Sequence, residues 1–120
     1  MVKLADSEWK IMELIWDEGP LTTMEISKKL ENSEGWTRAT VITLLKRMVS
    51  KGSIRYEEMN KTKKYYALVD RNEAGVVESR TFLKRFYGGN VGLMISSLIK
   101  QDQLSEQEME ELHRILKEDK

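Results

Sequence analysis

Apolar positions along this chain change period twice, and each change marks a switch between helix and strand. From about Asp6 to Asp17, Trp9, Met12 and Trp16 lie on one side of a 3.6-residue repeat, and Ile11, Leu14 and Ile15 broaden that stripe. Gly19-Pro20 ends the segment. A second helix is predicted from about Thr23 to Glu31 with Ile26 and Leu30 inward, and a third from Arg38 to Lys51 with Gly52 in the place of a C-terminal cap. The period then drops to two. Ser53 to Met59 and Lys63 to Val69 flank the polar tip Asn60-Lys61-Thr62, with Ile54 and Tyr56 alternating on one side and Tyr66 and Leu68 on the other, which reads as a β-hairpin. After Asp70 the helical period returns over Arg71 to Tyr87, Val91 to Lys100 and Glu106 to Lys117, broken by Gly88-Gly89-Asn90.

Local chemistry sharpens three of the helix starts. In Leu21-Thr22-Thr23-Met24-Glu25-Ile26, Thr22 caps, Glu25 completes a capping box and Leu21 staples Ile26. In Trp36-Thr37-Arg38-Ala39-Thr40-Val41, Thr37 caps and Trp36 staples Val41. Ser105, Glu108 and the pair Leu104 and Met109 repeat the full set at the last helix. Three helices followed by a hairpin is the order of a winged helix-turn-helix. The expected fold is therefore mainly α with a small β-hairpin: a winged helix-turn-helix over residues 1–70, then an α-helical domain over residues 71–120.

The second domain poses a burial problem. Val91, Leu93, Met94, Ile95, Leu98 and Ile99 are too apolar for a lone surface helix, and Met109, Leu112 and Leu116 are expected to face inward from the last helix. About 50 residues in three helices bury such a surface poorly by themselves. Pairing with a second copy solves this, with Phe82, Phe86, Leu93, Met94, Leu98, Ile99 and Leu112 as the candidate seam.

The third helix has two faces. Val41, Leu44, Leu45 and Met48 share one arc, which is the core side. Opposite lie Ala39, Thr43, Lys46 and Ser50, flanked by Ile42 and Arg47. Small residues near the start (Ala39, Thr40, Thr43) let a backbone approach a groove floor, and an outward Ile42 suits a thymine methyl. In the third position of this fold, the helix start enters a major groove. The start also favours a phosphate at Thr37, beside Arg38, while Lys46, Arg47 and Lys51 suit the backbone and Lys61, Lys63 and Lys64 of the hairpin suit a neighbouring stretch of it.

Charge supports that reading only by its distribution. The whole chain carries 20 basic and 20 acidic residues, so its net charge names no polyanionic partner. Between Trp36 and Lys64, however, eight basic residues face two acids. With no Cys there is neither a disulfide framework nor thiolate chemistry. The single His113 beside Glu110 lacks the further ligands a metal site needs, and no phosphate loop or nucleophile motif accompanies it. No catalytic residue, metal or cofactor is expected. No apolar run reaches the ~18–20 residues of a membrane span, and the start MVKLADSEWK has no signal-peptide core, so a cytoplasmic protein without membrane binding of its own is expected. The main alternative is a winged helix used only for protein contact.

Four stretches carry a family resemblance: SEWKIMELIWDEG, WTRATVITLLKRMVSKGSI, KKYYALV and DQLSEQEMEELHRIL. Together they resemble the penicillinase-repressor (BlaI/MecI) family, which includes the copper-responsive CopY repressors. The resemblance implies a homodimeric repressor in antibiotic-resistance regulation that binds a dyad-symmetric operator in double-stranded DNA. Thr37, Thr40, Thr43 and Arg47 fall on positions that contact DNA in the family, whereas Ala39 and Ile42 stand where some members have Lys and Arg. The tryptophans would hold the first helix against the third. A membrane sensor-protease cuts family members at an Asn-Phe bond in the dimerisation domain, and the equivalent bond here is Ser97-Leu98. The Cys-x-Cys pairs of the copper-responsive members have no counterpart.

Overall fold

The computed structural model describes residues 3–118. In chain order the elements are α1 (Asp6–Glu18), β1 (Leu21–Thr22), α2 (Thr23–Glu34), α3 (Arg38–Lys51), β2 (Ile54–Met59), β3 (Thr62–Ala67), α4 (Arg71–Tyr87), α5 (Val91–Lys100) and α6 (Glu106–Glu118). The chain divides into two compact units, one ending at Glu78 and one beginning at Ser79.

The first unit has a single apolar core. Ile11, Met12 and Ile15 from α1 meet Ile26 and Leu30 from α2 and Val41, Leu44, Leu45 and Met48 from α3. Each such side chain contributes roughly 1.5–3 kcal/mol on full burial. The helix starts behave as their sequences predict. Thr22 accepts the Glu25 N–H at 3.2 Å while the Glu25 carboxylate takes the Thr22 N–H at 2.8 Å. Gly35 and Gly52 end α2 and α3 in the left-handed conformation, which only glycine adopts without cost.

The sheet runs β1-β3-β2, all antiparallel. The short strand β1, absent from the sequence reading, pairs Leu21 with Tyr65 and Thr22 with Lys64. Two residues are too few to show a period, so only the partner strand reveals it. The inward side of β3 also differs from expectation. Register places Ala67 opposite Ile54 and Tyr65 opposite Tyr56, so Tyr65 is buried, while Leu68 lies past the strand end and is exposed. A one-residue change of phase exchanges the two faces of a strand, and four consecutive residues from Tyr65 to Leu68 are all apolar or aromatic enough to permit either.

The hairpin turns through Asn60 and Lys61, whose φ angles are 53° and 65°. Positive φ at both central residues is the tight-turn geometry that matches strand twist. A lysine there carries a Cβ penalty of about 1 kcal/mol. Lys61→Gly is therefore expected to raise thermal stability by up to about that amount, measured by circular-dichroism melting, while deleting a charge from the hairpin tip.

Tertiary ties close the first unit. The Trp16 indole N–H donates to the Val69 carbonyl at 2.9 Å, and Arg71 pairs with Asp17 and lies over the Trp16 ring. Ala74, in the opening turns of α4, is buried in the same core. Within the second unit the aromatic residues Phe82 and Phe86 touch at 4.9 Å between ring centres, and Asn90 and Ser105 cap α5 and α6. Neither α5 nor α6 has a buried residue. Met109 and Leu116, expected inward, are exposed.

Candidate nucleic-acid interface

Burial of Val41, Leu44, Leu45 and Met48 fixes the rotation of α3 about its axis. Arg38, Ala39, Thr40, Thr43, Lys46, Arg47 and Lys51 then face outward, and Ile42 is half-buried at the edge. The hydroxyls on this face are already oriented. Thr37 Oγ1 accepts the Thr40 N–H at 3.2 Å and lies 3.1 Å from the Thr40 hydroxyl. The Thr43 hydroxyl donates back to the Ala39 carbonyl at 2.9 Å. With its proton so committed, Thr43 presents lone pairs outward and suits a base-edge donor such as an adenine or cytosine amino group.

A groove of about 410 Å³ joins this helix to the hairpin. Its walls are the start of α2 (Thr22, Thr23, Met24), the α3 residues Arg38, Ile42 and Lys46, and Lys61, Thr62, Lys63 and Tyr65 of the wing. Two pairs of cations, Arg38 with Lys46 and Lys61 with Lys63, thus come from separate elements to line one concavity, with Ile42 supplying its apolar patch. Met24, Thr22 and Thr23 had no place in the sequence-derived site. Their only sequence signal was their role at a helix start, which does not say what the start faces.

The wing does not present all three lysines together. Lys63 lies across from Glu58 and Lys64 across from Glu57, and successive strand residues point to opposite faces. Lys63 faces the groove with its ammonium 4.5 Å from the Tyr56 ring centre. Lys64 belongs to the other face, with Arg55, Glu57 and Tyr66. There Arg55, 3.0 Å away, and the Tyr66 hydroxyl hold the Glu57 carboxyl below its usual range, and the same contact with Glu57 raises the Tyr66 phenol.

One residue central to this geometry escaped the sequence reading. Glu8 of α1 is 0% exposed. Its Oε2 accepts the Arg47 Nε–H at 2.9 Å, and its Oε1 accepts the Lys51 ammonium at 2.7 Å and the Ala5 N–H at 2.8 Å. Burial pushes its carboxyl up, but the bonds from Lys51, Ala5 and Arg47 outweigh burial and hold it below the ordinary glutamate value. A signal existed: Glu8 stands in register with Ile11, Met12 and Ile15, a charge inside the apolar stripe. An ionic cluster thus adds to the apolar contact between α1 and α3. Trp16, expected to brace the third helix, instead holds the segment leaving the wing, and Trp9 meets it edge to face at 5.5 Å.

The candidate seam residues divide by exposure. Phe82, Phe86, Leu93 and Ile99 are exposed, Phe86 at 61%, whereas Met94, Leu98 and Leu112 are half-buried within the second unit. Ser97 and Leu98 lie inside α5, with the Ser97 hydroxyl donating to the Leu93 carbonyl at 2.9 Å. Among the described residues no cluster of His, Asp or Glu is arranged to hold a metal ion, and no helix is long and apolar enough to cross a membrane.

A three-helix core, a small antiparallel wing and a basic outer face shared by α3 and the wing define a winged helix-turn-helix protein. The chain belongs to the penicillinase repressor family, whose profile matches residues 4–118. It is 32% identical over 118 residues to the penicillinase repressor of Bacillus licheniformis, covering 98% of this chain and 92% of that one. It is 28% identical over 114 residues to the methicillin resistance regulatory protein MecI of Staphylococcus aureus, covering 95% and 93%. Among solved structures it resembles the DNA-binding domain of the repressor BlaI, with a TM-score of 0.55 and 26% identity over 61% of this chain and 93% of that one. It also resembles the monomeric form of Bacillus licheniformis BlaI in complex with the blaP half-operator, with a TM-score of 0.53 and 25% identity over 59% and 87%. Membership in a family of repressors removes the enzyme reading.

Proposed function

We propose that this chain is a transcriptional repressor that binds a dyad-symmetric operator in double-stranded DNA as a homodimer. The observation that carries this is the groove in which Arg38, Ile42 and Lys46 of α3 meet Lys61 and Lys63 of the wing. Helix and wing then contact successive parts of one duplex face. In this reading Ala39, Ile42 and Thr43 meet base edges, Thr40 lies beside them, and Thr37, Arg38, Lys46, Arg47, Lys61 and Lys63 hold phosphates. Lys64, on the far face of the wing, adds only to the general field.

Pairing is supported by the second unit, where no residue of α5 or α6 is fully buried within one chain. A second copy covers Phe82, Phe86, Leu93 and Ile99, together with the edges of Met94, Leu98 and Leu112. Two α3 helices set roughly 34 Å apart then enter successive major grooves. Occupancy of a promoter by this dimer blocks transcription. Release by a membrane sensor-protease at Ser97-Leu98 is disfavoured, since the bond is helical, half-buried and unlike Asn-Phe.

The deciding experiment is selection of bound duplexes from a random pool. A two-fold symmetric site is expected, and failure to enrich any duplex sinks the reading in favour of protein contact. On the selected site, Thr43→Ala is expected to lose discrimination among operator variants with little change on random DNA. Lys46→Ala is expected to weaken both and to reduce the log–log salt slope by about 0.9, the increment of one phosphate.

A further inference from the structure

Three donors converge on the buried Glu8 carboxylate, and two of them are cations of the helix proposed to meet DNA. We propose that Glu8 is a positioning residue that limits how many α3 cations reach DNA: it keeps Lys51 off the phosphates and aims Arg47 at them. This inference rests on the DNA-binding reading above.

The geometry distinguishes the two cations. Arg47 engages Glu8 through its Nε–H, which fixes the plane of the guanidinium and leaves the two terminal nitrogens outside that bond. Its side chain is 50% exposed, so those nitrogens are within reach of a backbone phosphate. Lys51 has only one nitrogen, and it is 2.7 Å from Oε1. Moving it to a phosphate would leave a fully buried carboxylate short of one of its two counter-charges. A short charge-assisted bond to a shielded carboxylate outweighs an exposed, salt-screened contact. Lys46, by contrast, has no ion-pair partner among the described residues and lines the groove. The cluster of Glu8, Arg47 and Lys51 carries one net positive charge where Arg47 and Lys51 by themselves would show two. The effect is to weaken sequence-independent attraction to DNA, so that a larger share of binding comes from base contacts.

The test is the salt dependence of binding to a labelled random-sequence duplex, measured by fluorescence anisotropy with full-length protein. Glu8→Gln keeps the shape and a hydrogen-bonding group but releases Lys51. Its log–log slope is expected to steepen by about 0.9, so that a tenfold rise in salt costs it roughly 8-fold more affinity than it costs the wild type. A role confined to holding the fold would instead lower affinity without steepening the slope, and that result, or an unchanged slope, overturns the proposal. Lys51→Ala provides a second measurement that does not depend on Glu8→Gln folding. It is expected to reduce the slope by less than half of what Lys46→Ala does, and equal reductions overturn the proposal. If the wild type ignores duplex DNA altogether, the DNA-binding reading itself has failed.

Discussion

A chain ended at Glu78 is expected to sediment as a single subunit and to bind a two-half-site operator at least about 100-fold more weakly than the full chain. Among the described residues the first unit keeps every buried apolar side chain, Ala74 included, so it should retain its fold after truncation. What it loses is the surface of Phe82, Phe86, Leu93 and Ile99, which is proposed to hold the second copy in place. Without that link each half-site is occupied separately, and the second binding event no longer benefits from the high local concentration that tethering provides. Affinity for an isolated half-site should change little, because α3 and the wing are intact. Sedimentation equilibrium and anisotropy on half and full sites measure the two effects. A truncated chain that remained dimeric would move the interface out of the second unit, and equal affinities for the full site would remove the need for pairing.

The next largest effect is expected at Glu8. Glu8→Ala removes three charge-assisted hydrogen bonds, two of them also ion pairs, and leaves a gap between α1 and α3. A loss of about 2–3 kcal/mol follows from such bonds. The dependence on pH separates charge from packing. Because the folded carboxyl is held below the ordinary value of 4.5, the stability it supplies is complete above that value and is lost as pH falls through the lowered one. The stability gap between wild type and Glu8→Gln should therefore be widest near neutrality and close below pH 4.5. Urea unfolding across that range measures it. Comparison with Glu8→Gln cancels the shared contributions of Glu25 and Glu57, whose carboxyls are also held low by Thr22 and by Arg55 and Tyr66. A gap independent of pH would mean that Glu8 acts by shape alone.

Much of the helical part of this molecule was legible because its signals are local. Thr22, Thr37 and Ser105 cap the helices that their spacing predicts, and the stripe of Val41, Leu44, Leu45 and Met48 assigned the inner face of α3. Strand phase was less legible. Tyr65, Tyr66, Ala67 and Leu68 tolerate either face, and the choice was made by Leu21 and Tyr56 across the sheet. The inward faces of α5 and α6 were legible as amphipathic stripes, yet Met109 and Leu116 find no cover within one chain.

Sequence alone determined the helices and the hairpin, their order and the two-sided character of α3, since each depends on residues within a few positions of one another. Tertiary structure alone decided which charges those elements could share. Lys63 and Lys64 are neighbours in the chain but face opposite ways, whereas Glu8 lies 39 residues from Arg47 and 43 from Lys51 and binds both. Electrostatic partnership depends on distance through space, and only packing of the helices and pairing of the strands sets that distance.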